Sequence, residues 1–490
     1  MPLRFSNFLL VALLSSCTYA PEGPESGPVF HFVPEQPVAG NPAGIVQGKD
    51  SIRILYPIDQ TTQLIWKISS SSDQMNWITR PSVINECREV PMTNPKRILS
   101  GILLTDPNDY SKNCHSPECW FFFKTNWPCN SEPTSTFLPL IMSGDQGSTW
   151  VNASEAIRTD VELGRVKDPK IFYHQETKKW VMVATTDQRV HFFESTDLRN
   201  WKQTGMFGPA GNIDLQWENA ELIKVMIEKE MDQYRWVLSV TAGHPAAKGH
   251  AAVQYFIGQF DGKSFFSDEP TDKVKLLDHG RDFNGAIRVQ SEKNKSENDF
   301  PLITGKIGNN LYGDDLPDKR LHGMLSLTRK LTLKRIDNKL ALCQEPAIKP
   351  KASKMKVVSK IEELSGAIHA EINIKINITE NEKNGIHLLK TAEQQLEIGF
   401  DPATHSVYVD RSACGFTGFY PDFGTIDRYL LQKDISELNL KIFLDRNIVE
   451  IFIENGQGVL TSLLFPKDLY GKAEWFGTSA GNTISGQVLQ

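Results

Sequence analysis

The sequence predicts an all-β chain in two parts, a β-propeller followed by a C-terminal β-sandwich, and three observations carry that reading. From about Val29 to about residue 340 the apolar residues fall in short β-type runs separated by turn residues, and no stretch sustains a helical period. Within this region a polar turn followed by an aromatic residue recurs. It stands at Ser71-Ser72-Asp73 before Trp77, Ser143-Gly144-Asp145 before Trp150, Ser195-Thr196-Asp197 before Trp201, and more weakly at Asp261-Gly262-Lys263-Ser264 before Phe265. The copies lie roughly 50 to 70 residues apart, the length of a four-stranded propeller blade with its loops. Near the C-terminus, Leu438, Leu440, Ile442 and Leu444 alternate along one strand, Asp445-Arg446-Asn447 supply a turn, and Val449, Ile451 and Ile453 answer from the return strand. One apolar face per strand is what two packed sheets require.

Taken in order, the chain opens with Met1-Pro2-Leu3-Arg4, an apolar run from Phe8 to Leu14 and small residues through Ala20, the pattern of a secretory signal over residues 1–20. Leu14-Ser15-Ser16-Cys17 also resembles a bacterial lipoprotein box, in which Cys17 would carry a lipid anchor at the cell envelope. Cleavage after Ala20, giving a secreted chain, is the reading preferred. No later stretch is long enough to span a membrane. Residues 21–28, rich in Pro, Gly and Glu, form a flexible leader. The propeller is assigned to residues 29–345 and the sandwich to 361–490, with the basic, proline-bearing segment from Pro346 to Lys360 as a linker.

Cys87, Cys114, Cys119, Cys129, Cys343 and Cys414 remain, an even number that favours disulfides in an exported chain, with Cys343 to Cys414 a candidate bridge between the two parts. The spacing of Cys114-His115, Cys119 and Cys129 fits no usual zinc pattern, so neither a metal nor a cofactor is expected. Sequons at Asn152, Asn294 and Asn377 would carry glycans in a eukaryotic host. The formal net charge of −6 gives no attraction for a polyanion and argues against nucleic acid as a partner. A neutral, sugar-like ligand fits better.

The chemistry centres on Asp214-Leu215-Gln216-Trp217-Glu218-Asn219-Ala220, where a carboxylate stands beside a large ring. An aromatic wall removes water from a carboxyl, raises its pKa and suits it to general acid catalysis. Alone, a Trp-Glu pair at a strand edge is a plain structural feature. Hydrolysis of a glycosidic bond with retention needs two carboxyl groups about 5 Å apart, one a nucleophile and one an acid/base. The candidate partners are Asp168, in Gly164 to Phe172, and the segment Gly40-Asn41-Pro42-Ala43-Gly44. A propeller's central funnel would gather them, with Glu218 near its mouth.

At these residues the chain resembles the β-fructofuranosidases, the invertase and fructanase enzymes of glycoside hydrolase family 32. The resemblance covers nearly everything after Phe30. It rests on Phe30-His31-Phe32, Asn41-Pro42-Ala43-Gly44, Leu99-Ser100-Gly101, Lys167-Asp168-Pro169-Lys170-Ile171-Phe172 with Lys179 to Val183, Trp217-Glu218, Gly323 to Leu331, Tyr408 to Ser412 and Ile442 to Arg446. It implies a five-bladed propeller joined to a sandwich, with Glu218 as acid/base and Asp168 holding two fructose hydroxyls. Ser100, Gly101, Lys167 and Trp66 are the candidate substrate-binding residues, and fructosides the expected ligands.

The family's nucleophile lies in a Trp-Met-Asn-Asp-Pro-Asn-Gly run, which here reads Val38 to Gly44, so the attacking aspartate has become Asn41. An amide oxygen attacks far less readily than a carboxylate and offsets no positive charge, a loss on the scale of ~10⁴-fold or more. Further family residues are replaced by Val38, Pro57, Leu99, Lys167 and Asn219. Lys167 lacks an arginine's planar fork, and Val38 and Leu99 remove stacking surface. Three readings follow: an impaired enzyme that binds fructosyl sugars, a glycosidase with an altered mechanism, using a water activated by Asp168 or a deamidated Asn41, and a non-catalytic scaffold. Among the blander features, Asp168 before Pro169 would suit a turn cap, Trp120 with Phe121-Phe122-Phe123 a buried inner strand, and Tyr408 to Arg411 sandwich framework.

Overall fold

The computed structural model describes residues 27–38, 40–60, 63–81, 84–86, 101–111, 119–124, 137–138, 140–152, 157–159, 167–292, 300–348, 355–378 and 382–489. The expected signal with Cys17, as well as Cys87, Leu99, Ser100, Cys114, Cys129 and Asn294, lies outside them. Strands dominate the described residues, and no helix among them is long and apolar enough to cross a membrane.

Antiparallel meanders build the N-terminal part. Gly44–Gln47, Ile52–Gln60, Gln63–Ser71 and Ile78–Thr79 form the first. Gly101–Thr105, Trp120–Lys124, Leu140–Ser143 and Val151–Asn152 form the next, followed by Lys167–His174 through Asn200–Phe207 and by Glu218–Met226 through Phe265–Ser267. The last runs from Phe283–Ser291 to Lys339–Pro346, and its first strand pairs in parallel with Gly44–Gln47, Ile45 opposite Val289. The end of this part is thereby zipped to its beginning. Separate apolar clusters lie between neighbouring meanders: Trp66 with Phe122, Phe121 with Trp180, Phe172 with Leu238, Val237 with Ile303, and Ile54 with Val289.

The recurrent turn is one hydrogen-bonded device used repeatedly. Ser71 Oγ accepts from Gln74 N at 2.8 Å, Asp73 Oδ1 accepts from Met75 N and Asn76 N, and Trp77 Nε1 donates to Gln74 O. Ser143, Asp145 and Trp150 repeat the pattern, as do Asp197 and Trp201. In the weaker copy Asp261 accepts from Lys263 N and Ser264 N, and Phe265 has no indole to close the loop. The turn needs a left-handed residue, supplied by Gln74 (φ 61°), Gln146 (57°) and Leu198 (62°).

In the C-terminal part a six-stranded and a five-stranded sheet enclose one large apolar cluster. The hairpin register is the expected one: Leu440 faces Ile453, Ile442 faces Ile451 and Leu444 faces Val449. Met355–Val358, within the expected linker, is instead a strand that pairs with Thr483–Leu489. The proposed bridge is also absent, for Cys343 and Cys414 are both free and buried. They belong to different environments. Cys343 lies on Lys339–Pro346 beside Lys334 and Glu228, whereas Cys414 sits in the sandwich core, and burial pushes the two thiols up to about 11 and about 12. Cys119 is disulfide-bonded.

Buried charge joins the two parts. Asp445 accepts from Val29 N and Phe30 N at 2.8 Å, from His31 Nδ1 at 2.6 Å and from His369 Nδ1 at 2.5 Å. The other ring nitrogen of His31 meets Glu450 at 3.0 Å, and Glu450 accepts from Arg329 at 2.8 Å, which in turn reaches Asp278 at 2.9 Å. Burial by itself would lower the His31 pKa, but hydrogen bonds and charge from Asp445 and Glu450 reverse that and hold it at about 9. Against burial, hydrogen bonds from His31 and His369 depress Asp445, and the Arg329 charge followed by the His31 hydrogen bond depresses Glu450.

A raised folded-state pKa stabilises fully below the unfolded value of about 6.5 and less as pH climbs through the folded value. The protein should therefore lose stability between about pH 6.5 and pH 9, measured by urea midpoints. His31→Leu should cost about 3–5 kcal/mol at pH 6 because it strands two buried carboxylates. A variant with the parent midpoint would remove His31 from this role.

Candidate functional site

Backbone irregularity places the site. The strands Lys167–His174, Glu218–Met226 and Phe283–Ser291 each shift register near their start, between Lys167 and Lys170, Glu218 and Glu221, and Asn284 and Ile287. At each shift stands a residue with positive φ: Asp168 at 44°, Asn219 at 50° and Gly285 at 58°. Such bulges redirect side chains out of the ladder, and left-handed backbone at non-glycine residues is held only where the surroundings enforce it.

These bulges and the segment before Gly44–Gln47 bring the chemistry together. Asn41 Nδ2 donates to Asp168 Oδ1 at 3.3 Å and to Asn219 Oδ1 at 3.2 Å, and Asn41 Oδ1 accepts from Lys306 Nζ at 3.3 Å. Both amide hydrogens and the amide oxygen are thus engaged. Asp168 is buried; burial pushes its carboxyl up, and the Glu218 charge adds to this, against the pull of Lys170 and the hydrogen bond from Asn41. Burial also lowers the half-buried Lys306 ammonium, opposed by Asp168 and Glu218. Asn41, Asp168 and Glu218, from distant parts of the chain, thus share one electrostatic environment.

Other expected members lie elsewhere or differ. Trp217 is fully buried, its ring 6.2 Å from Phe256 and its Nε1 donating to Asn212 O at 3.0 Å, so the indole is committed to the core. Trp66 is only 1% exposed, with its ring centroid 4.8 Å from Phe122, so it is packed into the core between the first two meanders. Gly101 is buried where a Cβ would run into Phe122 and Trp66, which accounts for the glycine through close packing. Lys167 opens its strand opposite Thr185. Val38 is 3% exposed and its side chain packs on Gly323, whose φ of 94° and missing side chain leave room for it.

Sequence reasoning missed Lys306 and the layer beneath it. Lys306 is the one charged residue of the strand Leu302–Ile307, and that charge was the available signal. Deeper along the same inner strands lie Lys170, Glu221 and Arg288, around a cavity of about 20 Å³, room for about one water. Glu221 accepts from Arg288 N at 3.1 Å; burial raises its carboxyl, against Lys170 and Arg288. The lining of this cavity therefore carries opposed charges.

Carboxyls and amides thus converge from several meanders of an all-β part, with a sandwich fastened to it, an arrangement compatible with a glycoside hydrolase. Residues 31–346 match the Glycosyl hydrolases family 32 N-terminal domain and residues 338–489 the Glycosyl hydrolases family 32 C terminal, and the chain belongs to this family. It is 26% identical over 492 residues to a levanase of Bacillus subtilis (strain 168), covering 94% of this chain and 70% of that protein. It is 24% identical to an extracellular exo-inulinase of Aspergillus awamori, with 94% of each covered. The crystal structure of exo-inulinase from Aspergillus awamori superposes with a TM-score of 0.79 at 21% identity, covering 96% of this chain and 99% of the other. A β-fructofuranosidase from Schwanniomyces occidentalis complexed with fructosyl-erythritol superposes at 0.75, with 94% of each covered.

The burial of Trp66 is open to a direct check. Trp66→Ala should cost about 3–5 kcal/mol in urea denaturation, the penalty for a cavity in a packed core. A cost below about 1 kcal/mol would return the ring to the surface.

Proposed function

We propose that this chain is a secreted family 32 protein that binds terminal β-fructosyl units and hydrolyses them weakly or not at all. The observation that carries this is the amide at residue 41. Asn41 is hydrogen-bonded to Asp168 within the electrostatic reach of Glu218, and a retaining mechanism needs an attacking carboxylate there. In this reading Glu218 is the acid/base residue and Asp168 accepts from sugar hydroxyls. The described meanders, with apolar clusters between successive pairs and a parallel seam joining first to last, support a five-bladed propeller over residues 29–345. The C-terminal sandwich completes it, and the levanase and exo-inulinase relatives point to fructans or sucrose as the ligand class.

The purified protein should bind fructose or a short fructan in isothermal titration and show turnover of sucrose, inulin and levan about 10⁴-fold or more below that of an intact carboxylate site. Asn41→Asp should restore only trace activity. Efficient hydrolysis by the parent, abolished in Glu218→Gln, would establish an altered mechanism instead. Absence of any sugar binding would favour a non-catalytic scaffold.

A further inference from the structure

Lys306 carries the unassigned charge of the site. It stands opposite Asn284 on the neighbouring strand, and its stem passes the bulge at Gly285, where a Cβ would lie 4.0 Å from Lys306 Cδ and 3.5 Å from Asn219 Nδ2. The Lys306 stem thus runs in van der Waals range of the bulge, and its ammonium reaches the Asn41 amide oxygen at 3.3 Å. Asp168, Glu218 and Asp314 attract that ammonium, and His322 lies close enough to feel its charge. The Asn41 amide is thus gripped at both ends, with a cation at its oxygen and the acceptors Asp168 and Asn219 at its nitrogen. Only one orientation satisfies these contacts. A flip would set the NH₂ against an ammonium and the carbonyl against a carboxylate.

We propose that Lys306 is a positioning residue that clamps residue 41: it fixes the Asn41 amide with its oxygen toward the ammonium, and it would hold an aspartate at position 41 as an ion pair. The catalytic meaning of this clamp rests on reading Asn41 as the vacated nucleophile position. An attacking carboxylate must present a lone pair to the sugar carbon and a negative charge to an oxocarbenium-like transition state. At Asn41's present distance from Lys306 Nζ, 3.3 Å, an aspartate would have that charge neutralised, and the ammonium would itself oppose positive charge on the sugar. Lys306 therefore hinders the family reaction separately from the loss of the carboxylate. A reversal confined to position 41 leaves this obstacle in place.

The test is a double-mutant cycle on the full-length protein with Asn41→Asp, Lys306→Met and their combination, with Lys306→Gln and Lys306→Arg as further backgrounds. Gln keeps a donor for residue 41 without the charge, and Arg keeps the charge. At pH 7, Asn41→Asp should move Tm by less than about 2 °C when Lys306 is present. In the Met and Gln backgrounds it should lower Tm by about 4 °C or more, because the added carboxylate then crowds Asp168 and Glu218 without the ammonium. The coupling should shrink as pH falls and the added carboxyl takes up a proton, and Arg should restore the parent behaviour. Sucrose turnover by the double variant Asn41→Asp with Lys306→Met should be at least about 10-fold faster than by Asn41→Asp alone, a barrier change of about 1.4 kcal/mol. Equal melting shifts in all backgrounds, or a double variant no faster than Asn41→Asp, would overturn the clamp. Efficient parent hydrolysis lost in Glu218→Gln would overturn the impaired-enzyme reading instead, and the melting cycle would still decide the clamp.

Discussion

The structure depends on the ion pairing that fixes Val29 to His31 to the sandwich. Asp445 gathers four donors, from Val29, Phe30, His31 and His369, while Glu450 gathers His31, Arg329 and the backbone of Leu327. Each member is buried in a setting where a lone charge would be costly, and each is held because the others are present. A second buried group works alongside it: Arg411 donates to Asp282, which also accepts from Tyr312 at 2.5 Å and from Leu463 N at 2.8 Å. Asp278 and Asp282 lie just before Phe283–Ser291, the strand whose bulge at Gly285 borders the site. The sandwich thus braces the strand over which Lys306 reaches residue 41.

Much of the fold was legible because its rules are local. Alternation at Leu438 to Ile453 specified a register, since a one-residue slip would expose the whole apolar set. The Ser-x-Asp turns were legible because the hydroxyl and carboxylate meet backbone donors two to four residues away, as at Ser143 and Asp145. Asp445 looked like an ordinary turn residue. Its actual role depends on His31, more than four hundred positions earlier, and no local pattern announces such a partner. The stretch containing Met355–Val358 likewise reads as a linker until Thr483–Leu489 arrives to pair with it.

The site divides along the same line. Asn41, Asp168 and Glu218 could be found from short motifs, and the structure draws them together. Their electrostatics could not be found that way. Trp217 follows Gln216 and precedes Glu218 in sequence, and its ring belongs to the cluster with Ala210 and Phe256, a placement that chain order does not announce. Burial acts on Asp168, which the bulge turns inward at a φ of 44°. Trp66 and Gly101 carry a second constraint that the sequence did not announce: Phe122 packs on the Trp66 ring and fills the space a Cβ at Gly101 would take.

Loss of one carboxylate changes more than nucleophilicity. With an aspartate at position 41, three carboxyls would share the pocket and need compensation. With Asn41, the amide supplies donors to Asp168 and Asn219, and Lys306 supplies a positive charge that Asp168 and Glu218 both feel. The present arrangement is therefore internally balanced rather than merely incomplete. Each polar atom of Asn41 has a complementary neighbour, and the strained backbone at Asp168 and Asn219 keeps those neighbours in place. A pocket balanced in this way is suited to hydrogen-bonding a polyhydroxylated ligand, whose hydroxyls can serve both carboxyl and ammonium. It is poorly suited to positive charge developing on a sugar ring, because the nearest compensating group at residue 41 is neutral and faces a cation.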